Sequence, residues 1–140
     1  MNRYLRFRVW DIIAGIMHYK AHSIHFQYYD DGTSEIKSVH VGKAPDLKSL
    51  TKGSFEIMQC LSEKDTYGGM MYEGDIISNP LNDKQIGIIK FGPFLANGAL
   101  ATGFYIEPLH GSVDWDRSDI GETNLFKVVG NIYENGVSSE

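Results

Sequence analysis

Met71-Tyr72-Glu73-Gly74-Asp75-Ile76-Ile77 decides the fold class of this chain. A Glu-Gly-Asp turn leads into paired isoleucines, and the pattern is answered by Gly87-Ile88-Ile89-Lys90-Phe91 and by Val128-Val129-Gly130-Asn131-Ile132-Tyr133. Branched and aromatic side chains pack well on a pleated surface, and Gly, Asn and Asp punctuate such runs as turns do. The reading is mainly β: an SH3-like small β-barrel over residues 54–140, on which an N-terminal antiparallel β lobe of residues 1–53 packs. A barrel of this kind sets a fold without setting a chemistry.

Working outward, Tyr4, Arg6, Arg8 and Trp10 alternate with Leu5, Phe7 and Val9, a period of two that predicts a half-buried first strand. Residues 22–41 read as a hairpin whose Asp31-Gly32 pair suits a two-residue turn. That register sets Ile24 opposite Val39, Phe26 opposite Lys37, Tyr28 opposite Glu35 and His40 opposite Ser23. Residues 42–54 read as a linker with at most one helical turn near Asp46-Leu47-Lys48-Ser49-Leu50, and the lobe boundary is placed there. Phe55 to Cys60 forms a strand, and Asp65 to Gly69 a glycine-closed turn. Strands follow near residues 75–79, 86–91, 103–107 and 126–133. The glycine-rich stretch 92–103, with Pro93, Phe94, Leu95 and Leu100, reads as a flap or a contact surface. Residues 110–123 form an acidic excursion, and the chain ends in a frayed tail from Glu134.

The totals narrow the class. At 140 residues, 42% hydrophobic, the chain is rich enough to bury a core and too rich for disorder. No apolar run approaches the roughly 20 residues that span a bilayer, and the arginine-bearing N-terminus is no signal peptide. A single cysteine, Cys60, excludes a disulfide framework and fits a reducing interior. The expectation is a soluble protein of the cytoplasm with no membrane partner. The net charge of −5 conceals a polarity: residues 1–53 carry eight Lys/Arg against five acids (+3), and residues 54–140 carry five against thirteen (−8). Polyanion binding needs a dense basic surface, which this balance disfavours.

The candidate sites are few. His25 and His40 come close in the proposed register, but a metal needs three or four ligands and neither a Cys nor an acid completes the set. A polar sheet face carrying histidines is the preferred reading, and no metal or cofactor is expected. Asp114-Trp115-Asp116-Arg117-Ser118-Asp119 departs from a calcium loop at the positions that matter, so a solvated acidic loop is preferred. Glu73 and Asp75 share a strand face and suit acid–base work in principle. The better reading has Gly74 in a conformation closed to larger residues and Asp75 bonding local amides. Cys60 reads as a buried, inert thiol. No catalytic residue is assigned.

Three blocks of the sequence carry a resemblance. Phe7-Arg8-Val9-Trp10-Asp11 is similar to the Phe-Arg-Ala-Trp-Asp opening of the YopX family of phage and prophage proteins. Met58-Gln59 through Lys64-Asp65, Gly68 and Tyr72-Glu73-Gly74-Asp75-Ile76 resembles that family's middle block, and Val129-Gly130-Asn131-Ile132-Tyr133-Glu134-Asn135 resembles its ending. Cys60-Leu61-Ser62-Glu63 departs from the usual Tyr-Thr-Gly-Leu, Gly136 replaces a frequent proline, and residues 92–125 carry no matching signature. The resemblance implies an N-terminal β lobe, a C-terminal SH3-like barrel and a phage or prophage origin. It implies no activity and no site residue.

Three functions are therefore expected in order. The first is a non-enzymatic accessory protein that self-associates and binds a host or phage protein. The second is nucleic-acid binding through Arg6, Arg8 and Trp10, supplying phosphate and stacking contacts. The third, an enzyme using Glu73, Asp75 or His110 in an inter-lobe cleft, has no motif behind it. Arg6, Arg8, Trp10, Tyr72, Glu73 and Asp75 are the candidate binding residues.

Overall fold

The computed structural model describes residues 5–81, 84–96, 98–109 and 126–136. The chain divides into two compact units, Met1–Gln59 and Cys60–Glu140. Every regular element among the described residues is a β-strand and every ladder is antiparallel. The all-β expectation holds. Among these residues no helix is long and apolar enough to cross a membrane.

The first unit contains β1 (Phe7–Asp11), β2 (Ile16–His18), β3 (Ala21–Tyr28), β4 (Ser34–Lys43), β5 (Asp46–Thr51) and the start of β6 (Phe55–Lys64). β1 pairs with β2 on one side and with residues 55–59 of β6 on the other, while β3, β4 and β5 form a three-stranded meander. Val9, Val39, Val41 and Leu50 are buried together, with Ala21, Ile24, Ile36, Phe55 and Ile57 packed around them. Burying each such side chain contributes about 1.5–3 kcal/mol, so this cluster is the unit's principal source of stability.

Three sequence expectations need correcting here. Residues 42–54 are not a linker: β4 continues to Lys43, and β5 pairs with it through Val39↔Leu50, Val41↔Lys48 and Lys43↔Asp46. The alternation of β5 is hidden because an inward register position is held by Lys48, whose ammonium lies 2.7 Å from the buried Asp11 carboxylate. The β3–β4 turn has three residues rather than two. Tyr29 N–H donates to Thr33 and Gly32 N–H to Tyr29, which sets Tyr28 opposite Ser34. A bulge beside His25 then restores Ile24↔Val39 and Ser23↔His40 while Phe26 meets Ile36, not Lys37. Finally, β1 is buried on both faces, since Arg8 is 2% exposed and Val9 0%.

The second unit holds the remainder of β6 with β7 (Met70–Tyr72), and a four-stranded sheet in the order β10-β9-β8-β11. Its strands are β8 (Asp75–Ser78), β9 (Gln85–Ala96), β10 (Ala99–Pro108) and β11 (Lys127–Asn131). Met71, Ile77, Ile89 and Ile106 form its core. Within the described residues β10 and β11 are the outer strands of this sheet and share no ladder. The 92–103 stretch is not a flap. It extends the β9–β10 hairpin in unbroken register from Gly87↔Pro108 to Ala96↔Ala99. The acidic excursion of residues 110–123 and His110 lie outside the described residues.

Candidate functional site

The candidate residues fall into both compact units, and Arg8, Tyr72 and Asp75 among them are buried. In the first unit Arg6 is exposed and Trp10 partly buried, but Arg8 sits opposite Met58 across the β1–β6 ladder. Its Nε donates to Met58 Sδ at 3.3 Å. A guanidinium so enclosed is not presented to a phosphate, which leaves Arg6 as the exposed cation of the three. Asp11, 0% exposed, accepts from the Ala14 amide at 3.0 Å and from Lys48 Nζ at 2.7 Å. Lys48, then the Ala14 amide, hold its carboxyl below the usual carboxylate range.

In the second unit the Glu-Gly-Asp segment behaves as its sequence indicated. Asp75, 2% exposed, accepts the Tyr72 amide at 2.8 Å. Gly74 stands at φ +85°, where a side chain is strained, and its amide and carbonyl bond Ile89 and Ile132. Asp75 is thus occupied in holding a turn, and Tyr72 is buried at 5% exposure. Glu73 alone of this trio is partly open to solvent.

Two further structural carboxamide and carboxylate centres were not singled out from sequence. Asp65 accepts the Tyr67 and Gly69 amides at 3.0 and 2.8 Å through Oδ1, and the Val128 amide at 3.0 Å through Oδ2. Asn131 accepts the Tyr133 and Glu134 amides at 3.0 and 2.8 Å, while Asn135 Oδ1 accepts the Asn131 amide at 3.1 Å. A Cβ on Gly130 would stand 2.7 Å from that Asn135 oxygen, so only glycine admits the cap. Glu134 and Asn135 are therefore held, rather than frayed. The signal available in sequence was the Asp-x-x-Gly and Gly-Asn spacing of turn chemistry.

What remains at the surface is of two kinds. On the outer part of the β9–β10 hairpin, Phe91, Leu95 and Leu100 are 52%, 63% and 76% exposed. Leu95 lies directly opposite Leu100, and Phe91 opposite Phe104 in an edge-to-face ring contact at 5.0 Å. These share one face with Pro93 by strand parity. On the opposite face Phe94 stacks on Tyr105 with ring centroids 5.3 Å apart. The second feature is polar. On the solvent face of the β3–β4 hairpin, Ser23, His25 and His40 converge: His25 Nε2 is 3.1 Å from His40 Nδ1, and Ser23 Oγ is 3.3 and 3.1 Å from the same two nitrogens. Among the described residues no group of three or more His, Cys, Asp or Glu is placed to hold a metal. A shallow hollow of about 330 Å³ lies over Met17, His18, Tyr19, Lys20 and Gly42.

Comparison with known proteins gives the chain its family. The family model described as YopX protein matches residues 6–137. The crystal structure of protein yopX from Bacillus subtilis aligns with a TM-score of 0.52 at 17% identity, covering 95% of this chain and 98% of that one. The crystal structure of protein EF1440 from Enterococcus faecalis aligns at 0.46 and 18% identity, covering 96% of each chain. No curated protein matches. The three sequence blocks supply Arg8 and Met58, bonded to one another, and the turn-holding Asp11, Asp65, Asp75 and Asn131. The match of the family model over residues 6–137, nearly the full length, shows that this chain belongs to the YopX family.

Proposed function

We propose that the protein is a phage- or prophage-encoded accessory protein of the host cytoplasm, a non-enzymatic assembly module that self-associates through the outer edge of β10. The observation that carries the reading is the outer β9–β10 hairpin. β10 has β9 on one side and no described strand on the other, and its face carries Leu100 beside Leu95 and Phe91, all more than half exposed. Natural sheets blunt such edges with inward charges, prolines or bulges. Here residues 99–106 hold no charge and no proline, and the ladder to β9 runs without a bulge.

A second copy suits this edge for two reasons. Antiparallel pairing of β10 with itself is isologous, which gives a closed dimer with a two-fold axis. The opposite charges of residues 1–53 and 54–140 also attract between copies, while Asp75, one of the two carboxylates of the catalytic reading, is engaged in a turn. The phage or prophage origin rests on the likeness of the three blocks to that family. Light scattering on the eluting protein tests the association. At tens of micromolar the wild type is expected at a multiple of its 15.7 kDa mass and Leu100→Lys at one copy. A wild type that elutes as one copy at every concentration ends the proposal.

A further inference from the structure

The polar face of the β3–β4 hairpin brings three side-chain polar atoms together, hydrogen-bonded to one another and otherwise turned to solvent. His25 is exposed, and His40 and Ser23 are partly so. Their facing atoms form a nearly equilateral triangle with edges of 3.1, 3.1 and 3.3 Å. The rings meet edge to face with centroids 4.9 Å apart, so the two nitrogens converge instead of stacking. The donor and acceptor roles of the two ring nitrogens within this triangle follow the tautomer each ring adopts.

We propose that Ser23, His25 and His40 form an exchangeable binding site for a late first-row divalent cation of the zinc, nickel or copper type. Geometry supplies the first argument. The centre of a regular tetrahedron built on a face with these edges lies about 1.9–2.0 Å from each corner, close to the 2.0–2.1 Å of a zinc–imidazole bond. Ligand chemistry supplies the second, because neutral imidazole suits these ions and not magnesium or calcium, which take oxygen cages. Backbone placement supplies the third. The β-ladder itself fixes Ser23 opposite His40 and His25 opposite Ser38, so the donors are carried by rigid strands rather than by a loop. Sequence reasoning stopped at two imidazoles because a serine hydroxyl is a weaker ligand than the Cys or acid it sought. Water takes the remaining solvent-facing position, which makes the site open and the ion exchangeable.

Isothermal titration of the full chain with ZnCl2 tests the site, with MgCl2 as the control ion and His22→Ala as the control variant. Wild type and His22→Ala are expected to bind one Zn2+ at this site and no Mg2+. Even outer partners of metal ligands carry about 10–100-fold in affinity, so His25→Ala and His40→Ala are each expected to weaken Zn2+ at least tenfold. Ser23→Ala is expected to weaken it less than either. In the wild type, the imidazole NMR signals of His25 and His40 shift together with added Zn2+, and EDTA reverses the shift. Equal Zn2+ affinity in wild type, His25→Ala and His40→Ala, or no binding by the wild type, overturns the proposal.

Discussion

Replacing Asp65 by alanine removes one carboxylate on which three backbone amides depend. Tyr67, Gly69 and Val128 donate to it at 3.0, 2.8 and 3.0 Å, and the residue is 8% exposed. The first two bonds close the turn between β6 and β7, and the third ties β11 to that turn across 63 residues of sequence. A hydrogen bond to a charged group contributes about 1.5–3 kcal/mol, and amides left unpaired are costlier when water reaches them poorly. The turn's edge is partly wet, so the lower end applies and D65A is expected to destabilise the fold by about 3–5 kcal/mol. For a chain of this length that lowers the melting temperature by about 10–15 °C. Urea unfolding followed by circular dichroism reads the change as a shifted midpoint at constant slope. Asp65→Asn keeps an acceptor for two amides and turns an N–H toward the third, so it is expected to fall between. A D65A midpoint within about 0.5 kcal/mol of wild type would refute the claim that this position holds the fold.

Other perturbations address other parts of the account. Lys48→Met removes the cation that favours ionised Asp11. A carboxyl whose folded value lies below its unfolded one contributes stability above the unfolded value and loses it as pH falls through the folded one. Urea midpoints of wild type and K48M are therefore expected to differ by a constant amount above about pH 5 and to converge in stronger acid. A gap unchanged down to pH 2 would contradict the Asp11–Lys48 pairing. Gly130→Ala places a methyl 2.7 Å from Asn135 Oδ1, and overpacking of this kind costs about 1–3 kcal/mol. The double variant with Asn135→Ala is expected to cost less than the sum of the two single changes, since the clash is then largely relieved. Strict additivity in thermal melts would show that the cap is not what excludes a side chain at Gly130.

Much of the fold was legible because local chemistry and global topology agree. Gly74 and Asp75 announce their turn through residue types alone, and the Ile-rich runs of β8 and β9 enter the core as their pattern requires. Legibility failed where a long-range partner reverses a residue's usual place. Lys48, its side chain half exposed, takes a β5 position of Leu50's parity and reaches Asp11 37 positions earlier, and Arg8 is buried with its Nε on Met58 50 positions away. Neither pairing has a local signature. The 92–103 stretch looked like a loop because it contains Pro93 and three glycines. It survives as strand since, among the described residues, β8 pairs with β9 only over residues 85–88 and no strand ladders with Pro93 on its outer side. The candidate site fared worse for a related reason. Residues that resemble a family's pattern were the natural suspects, and of these Asp75 holds a turn while Arg8 and Tyr72 are buried. The two exposed features, the β10 edge and the Ser23–His25–His40 triangle, lie outside the matching blocks.

The central claim, that the outer side of β10 takes a second copy, is tested most directly by amide hydrogen exchange along residues 99–107. Alternate amides of β10 point away from β9. At tens of micromolar they are expected to exchange slowly, and on dilution to speed up together while the core amides of Ile77 and Ile89 stay protected. Fast exchange of those outward amides at every protein concentration would contradict the account.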